Sequence, residues 1–303
     1  MYSYSELEKI LSSKKINKST LSTALGISSK TIAKISKGEK ISNRVLEKIA
    51  NYLSCDASKL CRKVSDNFIT QMLTDEKNAK ISGGLYHELQ IRMTYNSNHM
   101  EGSKLSEDQT RLIFETRTID TNGGIPVDDI IETVNHFKAI DYVIDVAEDT
   151  LTEDIIKKIH FILKQGTKDS SLPWFVVGNY KKRANVVGGK ETTKPEDVPE
   201  KMKLLLNKYN LKKDKTIDDI IEFHADFESI HPFQDGNGRV GRLIAFKECL
   251  KFNIIPFIIE DSKKAFYYRG LSEWKHEKVY LTDTCLDGQD TFKKLLKIFD
   301  INI

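Results

Sequence analysis

Apolar residues recur at spacings of three and four along most of the chain, which is the period of an amphipathic α-helix. The stretch TIDDIIEFHADFESI is the clearest case, because five apolar side chains share one stripe: Ile217, Ile220, Ile221, Phe227 and Ile230. A chain of 303 residues is long enough for two domains with separate cores. The sequence therefore predicts a mainly α-helical protein.

Composition excludes several classes of protein. No run approaches the roughly 18 apolar residues that a membrane helix needs, so we expect no membrane partner. The first residues, MYSYSELEKI, lack the pattern of an export signal, and we expect a cytoplasmic protein. The four cysteines form no CxxC pair and are interpreted as reduced and structural: Cys55, Cys61, Cys249 and Cys285.

The net charge of +3 conceals an uneven distribution. Residues 1–65 hold 13 Lys and Arg against 5 Asp and Glu, a net charge of +8, whereas the remainder carries −5. Such an excess of positive charge in a small unit is typical of a protein surface that contacts nucleic-acid phosphates. We expect a basic N-terminal domain at 1–65 and a second domain at 66–303.

The basic domain has the pattern of four short helices, with a turn at Gly26 and a helix cap at Ser28. The stretch STLSTALGISSKTIAKISKGEKIS resembles the Cro/repressor (XRE) helix-turn-helix family. That resemblance implies DNA binding, often as a homodimer, through the third helix. The candidate DNA contacts are Ser29, Lys30, Thr31 and Lys34. The alternative is a small basic bundle that docks on the second domain or on a partner protein.

The run HPFQDGNGRVGR, residues 231–242, follows the amphipathic helix. Its glycines allow backbone N–H groups to converge on an anion at the start of the next helix. His231 can accept a proton near neutral pH, and Asp235 is a hard oxygen ligand suited to Mg²⁺. Two arginines three residues apart can clamp neighbouring phosphates.

This run matches every fixed position of HxFx(D/E)GNGRxxR, and the second domain resembles the Fic family of protein nucleotidyltransferases. The resemblance implies a helical domain that transfers AMP from ATP to a Ser, Thr or Tyr hydroxyl of a target protein, including the enzyme itself. His231 would be the catalytic base and Asp235 would hold Mg²⁺. The implied ATP-binding residues in the motif are Asp235, Gly236, Asn237, Gly238, Arg239 and Arg242, and Phe233 would point inward.

Upstream, the stretch SNHMEG fits the (S/T)xxxE(G/N) inhibitory motif of that family, on a helix near 95–105. Ser97, Glu101 and Gly102 are its fixed positions. The resemblance implies that Glu101 pairs with Arg242 and blocks the seat of the ATP γ-phosphate, so resting activity should be low. The same glutamate could orient a water for de-AMPylation. The pattern by itself also fits ordinary helix capping.

Two further segments resemble parts of the Fic domain. Strand-forming segments at Trp174–Val177 and Val186–Val187 predict a hairpin that resembles the Fic flap, near 174–190, which would hold the target. By analogy, Val187, Gly188, Gly189 and Lys190 would lie near the nucleotide. The segment FYYRGL resembles the adenine-pocket lining, which implicates Tyr267, Tyr268 and Leu271. Lys275 stands where the family often has asparagine.

Together these features predict a helical Fic-like domain with a β-hairpin flap, preceded by a small helix-turn-helix bundle. The predicted function is protein AMP transfer restrained by Glu101. The alternative is a DNA-binding regulator whose Fic domain senses a nucleotide or is inactive. A metal hydrolase built on His224 and His231 is a further, weaker hypothesis.

Overall fold

The computed structural model describes residues 2–63, 67–120 and 123–301. The chain divides into two compact units, Met1–Gln71 and Met72–Ile303. The predicted domain boundary at residue 65 lies outside the described residues. The described part is mainly α-helical, as predicted, with fourteen α-helices and two short two-stranded antiparallel sheets.

The first unit is a bundle of four helices closed by a small sheet. Its helices are α1 (Ser5–Ser13), α2 (Lys18–Leu25), α3 (Ser29–Ser36) and α4 (Asn43–Leu53), and its strands β1 (Tyr2–Ser3) and β2 (Arg62–Lys63) pair antiparallel. Leu7, Leu21, Ile49 and Leu53 are almost completely buried in its core. The four predicted helices are confirmed, and the β1–β2 pair is an addition to them.

The turn between α2 and α3 has the predicted chemistry. Gly26 ends α2 with a φ of +61°, in the left-handed region that glycine adopts without strain. Ser28 caps α3 by accepting a hydrogen bond from the backbone N–H of Thr31 at 3.2 Å. These two local signals fix where one helix stops and the next begins.

The second unit contains most of the helices. They are α5 (Phe68–Ala79), which begins before the division at residue 71, α6 (Leu85–Met100), α7 (Glu107–Thr116), α8 (Val127–Asp145), α9 (Glu153–Lys164), α10 (Val198–Leu211), α11 (Ile217–Ile230), α12 (Asn237–Lys251), α13 (Lys264–Glu273) and α14 (Val279–Ile298). Helix α12 packs against α6, α8, α9 and α11 and is buried on nearly every side. The run 231–242 is therefore held at the centre of this unit.

The predicted hairpin is wrong in its pairing. Strand β3 (Val186–Val187) pairs with β4 (Lys190–Glu191), not with 174–177, which lies in turns and irregular backbone. Gly188 and Gly189 both have positive φ, at 56° and 76°, and form the two-residue loop of a tight hairpin. The 174–177 segment contributes Phe175 to the protein interior instead. Tertiary packing thus overrides its strand propensity.

Among the described residues, no helix combines the length and the apolar character that crossing a membrane requires.

Candidate active site

The loop between α11 and α12 is fixed by its own side chains. His231 follows α11 with a φ of +53°, and its N–H donates to the carbonyl of Phe227 at 2.9 Å. Asn237 closes the loop, because its Oδ1 accepts from the N–H of Phe233 at 2.8 Å and its Nδ2 donates to the same residue's carbonyl at 2.9 Å. Phe233 is fully buried, as predicted. The loop is therefore rigidly attached to both helices.

His231 is held in the neutral form. Burial, followed by the positive charge of Lys181, lowers its pKa to about 4. Its Nδ1 lies 4.0 Å from Oε2 of Glu228, one helical turn earlier. Burial raises the pKa of Glu228 to about 8, because the charge of Arg242 only partly offsets the cost of desolvation. A neutral imidazole is the form that a general base requires at neutral pH.

Asp235 belongs to a four-membered ring of charges. Its Oδ2 accepts from Nζ of Lys164 at 2.6 Å and from Arg239 at 3.3 Å. Glu132 completes the ring by binding the same lysine at 2.5 Å and the same arginine. Although burial opposes it, the two cations hold the pKa of Asp235 well below its usual range. Asp235 is therefore an ionised carboxylate.

Asp235 also fits a role in metal binding. Its side chain is 49% exposed, while Lys164 and Arg239 beneath it are almost fully buried. No group of three or more His, Cys, Asp and Glu residues able to hold a metal occurs in the described part of the chain. One carboxylate is enough for Mg²⁺ when substrate phosphates and waters supply the other ligands. His224 and His231, on which the hydrolase hypothesis depends, belong to no such group among the described residues.

Arg242 and the predicted inhibitory motif are brought together. The arginine donates from Nε to Oγ of Ser97 at 3.0 Å, and from NH2 to the carbonyl of Ser97 at 3.0 Å and to Oε1 of Glu101 at 2.7 Å. The carboxylate also occupies the space over Gly238, where an added Cβ would collide with it. Gly102 follows with a φ of +99°.

The ion pair is buried on one side only. Arg242 has 6% of its side chain exposed and Glu101 has 28%. The carboxylate is therefore on the solvent side of the pair. NH1 of Arg242 is buried and finds no hydrogen-bond partner among the described residues.

His160 supports the loop and was not predicted as a site residue. Its ring stacks on Phe233 with centroids 4.0 Å apart and planes 4° from parallel. Its Nδ1 accepts from the N–H of Gly178 at 2.9 Å, so Nε2 carries the proton and donates to the carbonyl of Asp235 at 3.2 Å. Burial and the charge of Lys164 lower the pKa of His160 to about 3, which keeps the imidazole ring neutral.

The segment before the hairpin is tied to the same loop. The side chain of Asn185 donates to the carbonyls of Phe233 and Gln234, each at 3.4 Å. Val187 is 48% exposed, and Gly188 and Gly189 have open space where a Cβ would stand. Lys190 lies in β4. The hairpin thus begins beside the loop and presents an exposed edge.

The predicted adenine-binding residues take different positions. Tyr267 is fully buried and bonds through its hydroxyl to Nε2 of His224 at 2.7 Å, so it does not face an open pocket. Tyr268 is 39% exposed and donates to the carbonyl of Met100 at 3.3 Å. Leu271 is partly buried against the core. Of the three predicted adenine-binding residues, Tyr268 and Leu271 therefore have surface that a ligand could contact, and Tyr267 does not.

The predicted DNA contacts lie on α3 of the first unit. Ser29 and Lys30 are exposed, and Lys34 is half-buried. Thr31 is half-buried, and its hydroxyl lies 2.9 Å from that of Ser28, so it takes part in the helix cap. The two lysines are therefore the principal charged groups that this helix offers to a phosphate.

Two family models match the chain. The Fic/DOC family model matches residues 150–248, and the Cro/C1-type HTH DNA-binding domain model matches residues 6–66. Protein adenylyltransferase Fic of Nematostella vectensis is 28% identical over 200 residues, which are 62% of this chain and 44% of that protein. A protein of Aquifex aeolicus named "Probable protein adenylyltransferase" is 32% identical over 127 residues, 38% of this chain and 37% of that protein. The chain spans less than half the length of these relatives.

Solved structures show the same fold. A Fic domain containing signaling protein from Bacteroides thetaiotaomicron aligns with a TM-score of 0.60 at 22% identity, over 75% of this chain and 94% of that one. A Fic family protein from Desulfovibrio desulfuricans aligns with a TM-score of 0.60 at 19% identity, over 80% of this chain and 77% of that one. The chain is thus a Fic-domain protein with a Cro/C1-type helix-turn-helix domain ahead of the Fic domain.

Proposed function

We propose that the protein transfers AMP from ATP to a Ser, Thr or Tyr hydroxyl of a target protein, with its own chain as one target, and that Glu101 restrains this activity. The main support is the intact run 231–242, which combines a neutral His231 with an ionised Asp235 and two buried arginines. The adenylyltransferase relatives point to the same chemistry.

In the proposed reaction, His231 accepts the proton of the target hydroxyl as its oxygen attacks the α-phosphorus of ATP. The bond to the β-phosphate breaks, and pyrophosphate leaves. The backbone N–H groups at the start of α12 favour phosphate oxygens, and Arg239 and Arg242 stabilise the charge of the transition state. Asp235 would hold Mg²⁺, which when bound neutralises charge on the phosphates.

The proposed restraint follows from the position of Glu101. Its carboxylate engages NH2 of Arg242 and fills the space over Gly238, where the motif would otherwise receive phosphate. A phosphate at that place would meet a carboxylate, which repels it. ATP can therefore take a reactive position only when Glu101 has moved away. Tyr268, Leu271 and the hairpin residues 187–190 are proposed to line the nucleotide and target sites.

The test compares two matched variants, one just after the end of α6 and one near its beginning. Glu101→Gln removes the charge opposite Arg242, whereas Glu88→Gln breaks the ion pair with Arg111, at 2.6 Å, at the other end of α6. With labelled ATP and Mg²⁺, we expect label on the protein to rise at least about ten-fold in Glu101→Gln, because a lost charge-assisted bond of about 1.5–3 kcal/mol opens the site. Glu88→Gln should match the wild type.

His231→Ala in the Glu101→Gln background should abolish the label. Equal labelling of Glu101→Gln and wild type would refute a restraint based on the charge of Glu101. Label that survives loss of His231 would refute the proposed base, and no label in any variant, with added candidate protein substrates included, would refute AMP transfer.

A second function, DNA binding by the first unit, is proposed on a separate observation. Helices α2 and α3 are joined by the glycine turn of a helix-turn-helix, and α3 offers Lys30 and Lys34 within a domain of net charge +8. Both functions can reside in one chain, with the DNA-bound state and the AMP-transfer activity acting on each other through self-modification. Self-association as a dimer on paired half-sites is part of this second proposal.

A further inference from the structure

Lys164 lies outside the run 231–242 but directly beneath it. It is the last residue of α9, and only 3% of its side chain is exposed. Its aliphatic stem packs against the loop, with Cδ 3.5 Å from the place of a Cβ on Gly236. Its Nζ reaches the Oδ2 atom of Asp235 at 2.6 Å. The side chain thus contacts both the backbone and the carboxylate of the proposed phosphate and metal site.

The second partner of Lys164 explains why the ammonium stays buried. Glu132 on α8 accepts from Nζ at 2.5 Å and also binds Arg239. Burying a charge is costly unless it is paired with good geometry, and here two carboxylates surround each cation. The end of α9 is itself held, because Nδ2 of Asn135 donates to the carbonyls of Leu163 and Gln165 at 3.1 and 2.8 Å. Lys164 is therefore placed by the scaffold and not by the loop.

Lys164 does not need to contact Asp235 in order to neutralise the charge of Glu132. Arg239 already binds Glu132 and lies 3.3 Å from Asp235. Lys164 makes the shorter bond to Asp235, and it makes that bond to a side chain that is about half exposed. A rigid, buried cation that binds one oxygen of a half-exposed carboxylate restricts the rotation of that carboxylate.

We infer that Lys164 is a positioning residue for Asp235, fixing the carboxylate in the orientation that receives Mg²⁺ together with the nucleotide phosphates. This inference rests on the proposed function, since it takes Asp235 to be the metal-binding side chain. Groups that orient a metal ligand from behind commonly contribute 10–100-fold to metal affinity. Lys164 acts through Asp235 and needs no contact with the nucleotide.

The test separates metal positioning from other roles by measuring nucleotide binding with and without metal. Binding of ADP to the full chain is measured by calorimetry in Mg²⁺ and in a chelator, for wild type and Lys164→Met. We expect the Mg²⁺-dependent gain in ADP affinity to fall about ten-fold in Lys164→Met. Metal-free ADP affinity should stay within about two-fold, and Lys164→Arg should recover part of the gain.

A matched control lies two turns earlier on the same helix. Lys157→Met also removes one positive charge from α9, but Lys157 pairs with Glu153 at 2.6 Å, its Nζ lies 4.3 Å from the centroid of the Tyr180 ring, and it has no hydrogen bond or ion pair to residues 231–242 among the described residues. Lys157→Met should show the same Mg²⁺-dependent gain in ADP affinity as the wild type. Thermal unfolding of each variant checks that the fold survives, and Glu132→Gln provides a second route to loosening Lys164 if Lys164→Met does not fold.

Three results would overturn the inference. The first is an unchanged Mg²⁺-dependent gain in Lys164→Met, and the second is an equal loss with and without Mg²⁺, which would indicate direct phosphate contact or a structural role. The third is the same loss in Lys157→Met. None of these readouts uses AMP transfer, so failure of the proposed function, seen as absence of label, is distinguishable from failure of the inference.

Discussion

At the scale of single residues, the protonation of His231 is set by its burial and by the charge of Lys181. The ammonium of Lys181 is itself buried and bonds to Oδ1 of Asn185 at 2.8 Å. Because burial and this charge both disfavour a second cation, His231 remains neutral until the pH falls to about 4. A histidine with an ordinary pKa of about 6.5 would already be half protonated in mildly acidic solution.

The first prediction concerns the pH dependence of AMP transfer. The base works when neutral, so activity should be lost as the pH falls through its folded-state pKa. In Lys181→Met, loss of the positive charge raises that pKa, and the acid limb of the pH–rate profile should move to higher pH. Initial rates between about pH 3 and 8, measured in the Glu101→Gln background, test this, because the range includes the acid limb of the parent enzyme.

Lys182, the exposed neighbour of Lys181, supplies the control for the shift of the acid limb. Lys182→Met removes the same charge from the same segment and should leave the acid limb in place. The comparison uses the position of the limb and not the rate itself, because Lys181 also bonds to Thr192 at 2.6 Å and its loss can slow the reaction by loosening the segment. Superimposable limbs in the two variants would disprove the electrostatic explanation.

The motif residues could be predicted from the sequence because their chemistry is encoded in one short run. His231, Asp235 and Arg242 share that run, and the pair with Glu101 was implied by the resemblance of a second short pattern to the Fic inhibitory motif. His160 and Lys164 could not be found this way. Their bonds to Asp235 join positions 75 and 71 residues apart, and neither residue stands in a pattern of its own. Only the packing of α9 against α12 reveals them.

At the scale of secondary structure elements, α3 is the helix on which DNA binding depends. Ile35 faces the core, while Lys30 is exposed to solvent. Lysines that neutralise phosphates release counterions, so each one adds to the salt dependence of binding. A helix that truly faces DNA should contribute more to that dependence than other basic helices of the same domain.

The corresponding prediction compares two double variants of equal charge. Lys30→Ala with Lys34→Ala should weaken binding of the full chain to a mixed-sequence duplex, and should lower the slope of log affinity against log salt by about 1 per lysine. Lys9→Ala with Lys48→Ala, on α1 and α4, should change the slope much less. Equal effects of the two double variants would show that the positive charge of the domain attracts DNA without involving one particular helix. No effect of either double variant would exclude α3 as the DNA-binding surface.

Element boundaries were predictable where local caps define them, and less so where tertiary contacts do. Helices α2 and α3 end and begin at the predicted glycine and serine. The hairpin was misplaced because its strands are two residues long, too short for a propensity signal. The strand-like segment 174–177 does not join the hairpin, because Phe175 packs near the ring of His160, with centroids 6.2 Å apart.

At the scale of the whole molecule, each of the two units has its own core. The first unit buries Leu7, Leu21 and Leu53 in one cluster, and the second unit buries its apolar residues in separate clusters. The net charge of the first 65 residues is +8 and that of the remainder is −5. Separate cores and opposite charges indicate that the two units can respond to different ligands.

Calorimetry of the full chain should therefore show two unfolding transitions. A ligand raises the melting temperature of the unit that binds it, by mass action. Duplex DNA should move only the transition of the first unit, and ADP with Mg²⁺ only that of the second. His231→Ala should leave both unliganded transitions nearly unchanged. One transition that moves with either ligand would instead show that the units unfold as one cooperative body.

The place of Glu101 on its helix has a consequence for how resting activity would be set. Glu101 is the residue that follows α6, and its backbone N–H donates to the carbonyl of Asn98 at 3.0 Å, while those of Gly102 and Ser103 donate to the carbonyls of His99 and Asn98 at 3.0 and 3.1 Å. Helix ends open more readily than helix interiors. Under the proposed restraint, the basal rate would follow the fraying of one helical turn, a property of temperature and local sequence that needs no regulatory partner.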